Sequence, residues 1–421
     1  MGLNIIEKIL TRAGRGAPIA SGDIVVVEVD TAVLLDTSFM PHVWRDVLQL
    51  ADPEKLVVVF DHKVPPPNRV SAQAHATGRE FVKRFGIKRF HDLGREVGIS
   101  HVLVTDRAYA LPGAVLVCAD SHTCAAGAFN CAARGVGVPE MVYAITTGKT
   151  WFRLGETIRY DLVGRLQPGV TTKDVFLHVA GAFRDHTNLN MEFGGSGLAR
   201  LSLNARRTIA TQAAEVGAEF CLFEPDDLLL DYVRAHSTAS FEAQYPDADA
   251  IYKECRTIDL SAMQPLVALP DSVVKNSVPV GDVAGEAIQQ AFIGSCANGT
   301  LDDFAIAAGI VQGRQVAPGV RLIVTPGSQQ IYRDALRAGY VATLVEAGAL
   351  VTNSTCGACA GGHMGVVGPG ETCITASTRN FKGRMGDPTA RIFMASTATV
   401  AASALTGVIT HPGPFVAEGS A

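Results

Sequence analysis

Cys356-Gly357-Ala358-Cys359 is a Cys-x-x-Cys pair, a spacing that serves a redox dithiol, half of a zinc site or iron–sulfur ligation. Cys296 stands earlier in the chain, in the run Gly294-Ser295-Cys296-Ala297-Asn298-Gly299, and no fourth cysteine has a matching context. Three thiolates on a four-iron cube leave one iron without a protein ligand, free to act as a Lewis acid on a hydroxyl and a carboxylate. A cluster built only to carry electrons normally has four cysteines, so a set of three points to chemistry at the cluster. The other six, Cys118, Cys124, Cys131, Cys221, Cys255 and Cys373, read as small buried hydrophobes, with Cys124 near enough to Asp120-Ser121-His122 to line a pocket. Asp61-His62 sets a carboxylate beside an imidazole; in isolation such a pair is more often a structural hydrogen bond.

These residues are far apart in sequence, so the fold must gather the turns that carry them. Short apolar runs alternate with amphipathic ones. Lys55–Phe60, Ala114–Cys118, Thr157–Val163, Gln289–Ile293, Arg321–Val324 and Leu350–Asn353 read as strands. Ser71–Phe85, a Gly/Ala-rich stretch from about Ala125, Leu203–Val216, Leu301–Val311, Gln329–Ala338 and Ala390–Leu405 read as helices. Thr171 and Asp174 have the spacing of a capping box. Repeated βα units of this kind make parallel sheets covered by helices, and their active residues lie beyond the carboxyl ends of strands. Asp61-His62, Asp120–His122, Cys296 and Cys356 all follow predicted strands. The 421 residues, 48% of them hydrophobic, supply more than one core. The expected organisation is α/β in three domains, 1–155, 156–280 and 281–421, with 235–279 as the connection into the last.

In their order along the chain, Asp61-His62 with Val64-Pro65, Asp120-Ser121-His122-Thr123, the Cys296 run, the Cys356/Cys359 pair and Arg379-Asn380-Phe381-Lys382-Gly383-Arg384 resemble aconitase and isopropylmalate dehydratase, over roughly Gly22 to Pro412. The length is similar to large subunits of isopropylmalate dehydratase and homoaconitase. The resemblance implies three α/β/α-type domains around a central cleft, as in aconitase without its C-terminal swivelling domain. It implies a [4Fe–4S] cluster on Cys296, Cys356 and Cys359 with one open iron, and a hydro-lyase acting on a small malate-type hydroxy acid. A separate small subunit would supply the swivelling domain and the serine that removes the substrate proton. His62 corresponds to the proton donor to the leaving hydroxyl, oriented by Asp61. Asp120, Ser121 and His122 correspond to residues around cluster and substrate, Glu215 to a glutamate near the departing hydroxyl, and His101 to a pocket histidine. Arg379 and Arg384 correspond to arginines that meet substrate carboxylate, a task suited to the guanidinium fork. Asn298, Thr211 and Thr378 would surround the cluster, the two threonines standing where the family commonly has asparagines. That departure marks a divergent member, whose substrate is isopropylmalate or a relative such as homoaconitate, maleate, citraconate or dimethylmalate.

The competing readings are a zinc or redox protein built on Cys356/Cys359 and an RNA-binding regulator after cluster loss. The net charge of −5 and the absence of a Lys/Arg run weigh against a nucleic-acid partner. No apolar stretch is long enough for a membrane span, and the first residues lack a secretory pattern, so a cytoplasmic location is expected. Thr147-Gly148-Lys149-Thr150 resembles the end of a phosphate loop, but Tyr143 occupies the position of the required first glycine.

Overall fold

The structure, a computed structural model, describes residues 2–16 and 19–416. The chain begins with strands β1 (Ile24–Glu28), β2 (Thr31–Leu35), β3 (Leu56–Val59), β4 (Arg89–His91), β5 (Val115–Cys118), β6 (Ala132–Gly135) and β7 (Lys149–Arg153). Five of them form a parallel sheet in the order β4-β3-β2-β5-β6, while β1 and β7 pair as an antiparallel ribbon. The strands are apolar at successive positions because both faces of the sheet are covered. Val33, Leu35, Val57 and Val59 enter one core, and Leu34, Leu56, Val58 and Val117 enter the other.

β8 (Glu156–Val163), β9 (Leu189–Gly194), β10 (Cys221–Phe223) and β11 (Glu254–Asp259) make a second parallel sheet ordered β10-β9-β8-β11. Thr171 caps the helix that follows β8, and Asp174 returns a bond to its backbone, the reciprocal box its spacing predicts. The third sheet holds β12 (Leu266–Ala268), β13 (Ser277–Pro279), β14 (Gln290–Ile293), β15 (Arg321–Val324), β16 (Leu350–Val351), β17 (Thr372–Thr375) and β18 (Arg391–Ala395). Its order is β13-β12-β18-β17-β14-β15-β16, parallel from β18 to β16 and antiparallel at β12 and β13. Ala291, Ile293, Leu322 and Val324 face one core of this sheet, and Phe292, Ile323 and Cys373 face another. Among the described residues no helix is long and apolar enough to cross a membrane.

The mixed α/β class with parallel sheets is as expected, but several elements differ. The segment 235–279 is not a bare connection. It carries β11, and its last two strands, β12 and β13, join the third sheet although they precede residue 280. Ala390–Leu405 is not one helix but β18 followed by the helix Thr397–Thr406, an apolar run that periodicity alone assigns to either class. Cys255 is exposed rather than buried, because β11 is an edge strand with one open face.

The Gly/Ala-rich run is a short 3-10 helix, Ser121–Phe129, followed by β6, and not a longer α-helix. It stops at Asn130, which adopts the left-handed region (φ 57°). Gly127 lies so close to β10 that an added Cβ would stand 1.7 Å from the Cys221 carbonyl oxygen. Gly127→Ala must therefore displace backbone, and we expect a loss of about 3 kcal/mol, read as a lowered thermal midpoint. An unchanged midpoint would mean that this contact between the first and second sheets yields freely.

Candidate active site

Loops from the first and third sheets converge beyond the carboxyl ends of β3, β5, β14, β16 and β17. The contact is direct: the Asp61 carbonyl accepts hydrogen bonds from Cys356 N and Thr355 Oγ1, both at 2.9 Å. Ser295, in the left-handed region at φ 75°, turns the chain into Cys296. Gly357, at φ 47°, permits the tight turn between the paired cysteines. All three cysteines are free thiols; Cys296 and Cys359 are buried and Cys356 is half-buried.

Their ionisation shows that they sense one another. Burial pushes the Cys296 thiol well up, and the charges of Cys356 and Cys359 push it further. Burial brings Cys356 up to about 12, with Asp61 adding to the rise and His62 opposing it. Cys359 goes the other way: burial would raise it, but the Arg384 guanidinium, His122 and Thr378 hold it below the usual thiol range, which favours the thiolate that binds metal. Arg384 Nη2 stands 3.9 Å from Cys359 Sγ, while Arg384 Nε is buried without a partner.

A second network is built of alternating acids and bases. Asp61, fully buried, accepts from Ser100 N at 2.8 Å and holds His62 Nδ1 at 2.7 Å. This leaves His62 Nε2 free of Asp61, 3.6 Å from Asp120 Oδ2. Asp120 caps the Ser121–Phe129 turn through His122 N and takes His101 Nε2, each at 2.8 Å. His122 Nε2 meets Glu215 Oε1 at 2.8 Å, and the same oxygen accepts from Arg379 Nε at 2.7 Å. Arg379 Nη2 then donates to Ser121 Oγ at 2.7 Å. Burial alone would lower the His62 pKa, but Cys356, Asp61 and Asp120 carry it well above the ordinary imidazole range. Burial would raise Asp120, but His101, His122 and His62 hold its carboxyl well below the usual range. Glu215 is also held low against burial, by His122 and Arg379. The pairing thus favours the charged form of His62 and the ionised forms of Asp120 and Glu215.

The candidate site residues named from the sequence lie in or beside this region, though not always turned as expected. Thr211 Oγ1 donates to Arg207 O at 2.6 Å, within its own helix, so its hydroxyl is engaged away from the sulfurs. Thr378 Oγ1 does approach one, 3.7 Å from Cys359 Sγ. Asn298 Nδ2 points to the buried Asp303 at 3.0 Å, while its Oδ1 is buried and unpaired. Lys173 was hidden in its capping box, where a lysine reads as solvated. It is fully buried and donates to Ser377 O (2.7 Å) and Gln212 Oε1 (3.0 Å). Burial lowers it to about 7 against the pull of Asp303, Cys359 and Cys296.

Among the described residues, two sets of potential ligand atoms lie within 4.8 Å of one another: Asp61, His62, Cys356 and His101, Asp120, His122. The three thiols are not such a set, as they would be around a single zinc ion. Soft sulfur donors and a guanidinium beside Cys359, whose buried Nε has no partner, fit a larger, negatively charged iron–sulfur cube.

The family model described as aconitase family (aconitate hydratase) matches residues 45–407. This chain belongs to the aconitase family. As a member it is a hydro-lyase, and the family implies a [4Fe–4S] cluster. The chain is 54% identical to the 3-isopropylmalate dehydratase large subunit of Mycolicibacterium smegmatis, over 99% of each chain. It is 41% identical to a probable 3-isopropylmalate dehydratase large subunit of Methanothermobacter thermautotrophicus, over 98% of this chain and 99% of the relative. A probable methanogen homoaconitase large subunit of the same organism is 40% identical over 97% of each.

Proposed function

We propose that the chain is the large subunit of an enzyme that interconverts 2- and 3-isopropylmalate by dehydration and rehydration. The reading is carried by one observation: Asp61, His62 and Cys356 meet with their polar atoms within 4.8 Å, an acid–base pair beside a cluster ligand. Cys296, Cys356 and Cys359 would hold the cluster, which when bound supplies Lewis acidity to the leaving hydroxyl. His62 Nε2 gives a proton to that hydroxyl oxygen as the carbon–oxygen bond breaks, so that water departs. Asp61 fixes the ring so that Nδ1 carries its own hydrogen and Nε2 faces substrate. Asp120, with His101 and His122 on it, keeps a negative charge near His62 and supports its charged form. Glu215, Ser121 and Arg379 form the opposite wall, and Arg379 and Arg384 would receive substrate carboxylate. The base that takes the carbon-bound proton would come from a separate small subunit, as the large-subunit names of the relatives support. The cytoplasm is the proposed location. The segments around the three sheets would be three domains, with the second boundary moved from 280 to about 264 because β12 and β13 join the third sheet.

Homoaconitate is the second reading, supported by the homoaconitase relative. The test is the reconstituted, cluster-loaded pair assayed with 3-isopropylmalate and with homoaconitate. The expected result is turnover of the first, dependent on the small subunit. Turnover of homoaconitate alone promotes the second reading, and turnover of neither by an iron-loaded pair ends both. Arg379→Lys keeps the charge but loses the fork that spans Glu215 and Ser121. It is expected to raise KM about tenfold with a smaller change in kcat. An unchanged KM would remove Arg379 from the carboxylate site.

A further inference from the structure

Asp36 does not belong to any motif, yet its carboxylate is aimed at the loop that carries the acid–base pair. It follows the carboxyl end of β2, the central strand of the first sheet, and is 1% exposed. Among the described residues no Lys or Arg pairs with it; His75 is its nearest basic side chain, Nε2 at 3.5 Å and stacked on Phe60. Its main partners are backbone. Asp36 Oδ1 accepts from His62 N at 3.1 Å and, at a longer 3.4 Å, from Asp61 N, while Oδ2 accepts from Lys63 N at 2.7 Å. Three successive N–H groups thus converge on one carboxylate. Burial would raise this group, but His75, the charge of His62 and the backbone N–H groups bring it to about 2, so it is an anion at neutral pH.

The carbonyls of the same loop point the other way, into the third sheet. Asp61 O takes Thr355 Oγ1 and Cys356 N, His62 O accepts from His363 Nε2 at 3.0 Å, and Val64 O accepts from Asn353 Nδ2 at 3.0 Å. The loop is held by its N–H groups to the first sheet and by its C=O groups to the cysteine loop. We propose that Asp36 is a positioning residue that fixes the Asp61–Lys63 loop against the Cys356 loop and so sets where His62 Nε2 meets the leaving oxygen.

The geometry demands a carboxylate. Two oxygens with four lone-pair sites can take three N–H groups, whereas an asparagine offers one oxygen and turns an NH2 toward a donor. Losing the anchor frees the loop to drift, and proton transfer is sensitive to displacements of that size. The assignment of His62 as proton donor is taken from the proposed function, but the loop's anchoring is not.

Two measurements on the cluster-loaded enzyme with its small subunit test this. Hydrogen–deuterium exchange of Asp36→Asn should show amides 61–63 exchanging about 10-fold faster, with peptides of β8 and β9 unchanged. Its kcat should fall about 100-fold with KM within about twofold. Asp36→Glu keeps the charge but displaces it by a methylene, and it should also lose kcat while loading iron normally. It serves as the test if the asparagine variant does not fold. Wild-type exchange at 61–63 overturns the proposal, as does exchange that quickens equally throughout the chain, or a fully active Asp36→Glu. If the loop loosens as expected but the native enzyme turns over no hydroxy acid, the anchor stands and the proposed function fails.

Discussion

Cys356→Ser is expected to bleach the protein's visible iron–sulfur absorbance and to reduce turnover by more than about 1000-fold, some 4 kcal/mol of barrier. A serine hydroxyl is a hard, weakly acidic donor, and it does not replace a thiolate on iron. Cys356 is expected to be the most sensitive of the three positions because its loop is shared. Its N–H bonds Asp61 O, so the same turn that presents sulfur also braces the acid–base pair. A misplaced Cys356 therefore costs both parts of the site together. Cys255→Ser is the control, since that thiol lies exposed on the edge strand β11, and it should leave colour and rate unchanged. Iron content, the visible spectrum and kcat are to be measured on the same preparations. A Cys356→Ser protein that retains full iron and more than about a tenth of the native rate would show that this residue is no ligand, and the three-thiolate reading would fall with it.

Short-range patterns, ambiguous singly but resembling one family in their order along the chain, made the candidate residues of this site legible. A Cys-x-x-Cys pair, a carboxylate next to a histidine and strands of continuous Val and Leu are local features, and β3, β5, β14 and β15 came within a residue or two of their expected limits. Long-range pairing was not legible. The cap that Asp120 makes with His122 N is local, but nothing near Asp120 indicates that His101 also bonds it, or that Glu215 bridges His122 and Arg379, because these partners lie on separate segments that only tertiary packing brings together. Lys173 and Asp36 were missed for a related reason. A lysine in a helix's first turn and an aspartate after a strand usually meet water, and only tertiary packing buries them here. The division of 390–406 into strand and helix failed because an Ala-rich apolar run has no distinguishing period.

His62→Asn is expected to lower kcat by about 1000-fold while leaving the iron–sulfur spectrum intact and KM within a few-fold. An asparagine is too short to reach the position of Nε2 and cannot hold a proton that it then gives up. The loss should appear in kcat because the proton moves only as the carbon–oxygen bond breaks. Asp61→Asn tests the same device from behind. Asp61 Oδ1 accepts the Nδ1 hydrogen at 2.7 Å, and an amide there can turn its NH2 toward the ring, which leaves Nδ1 an acceptor and removes the carboxylate that supports the charged imidazole from which Nε2 gives its proton. Asp61 also accepts from Ser100 N, so its replacement weakens the helix start at Ser100. Some loss of thermal stability should accompany it. Because both residues serve one proton, their effects should not add, and the double variant should be no slower than about threefold below His62→Asn alone. Additive losses would mean that Asp61 works by another route, through the Cys356 loop bonded to its carbonyl. A His62→Asn enzyme within about tenfold of the native rate would move the proton donor elsewhere in the network, with His122, bonded to Glu215, the next group to replace.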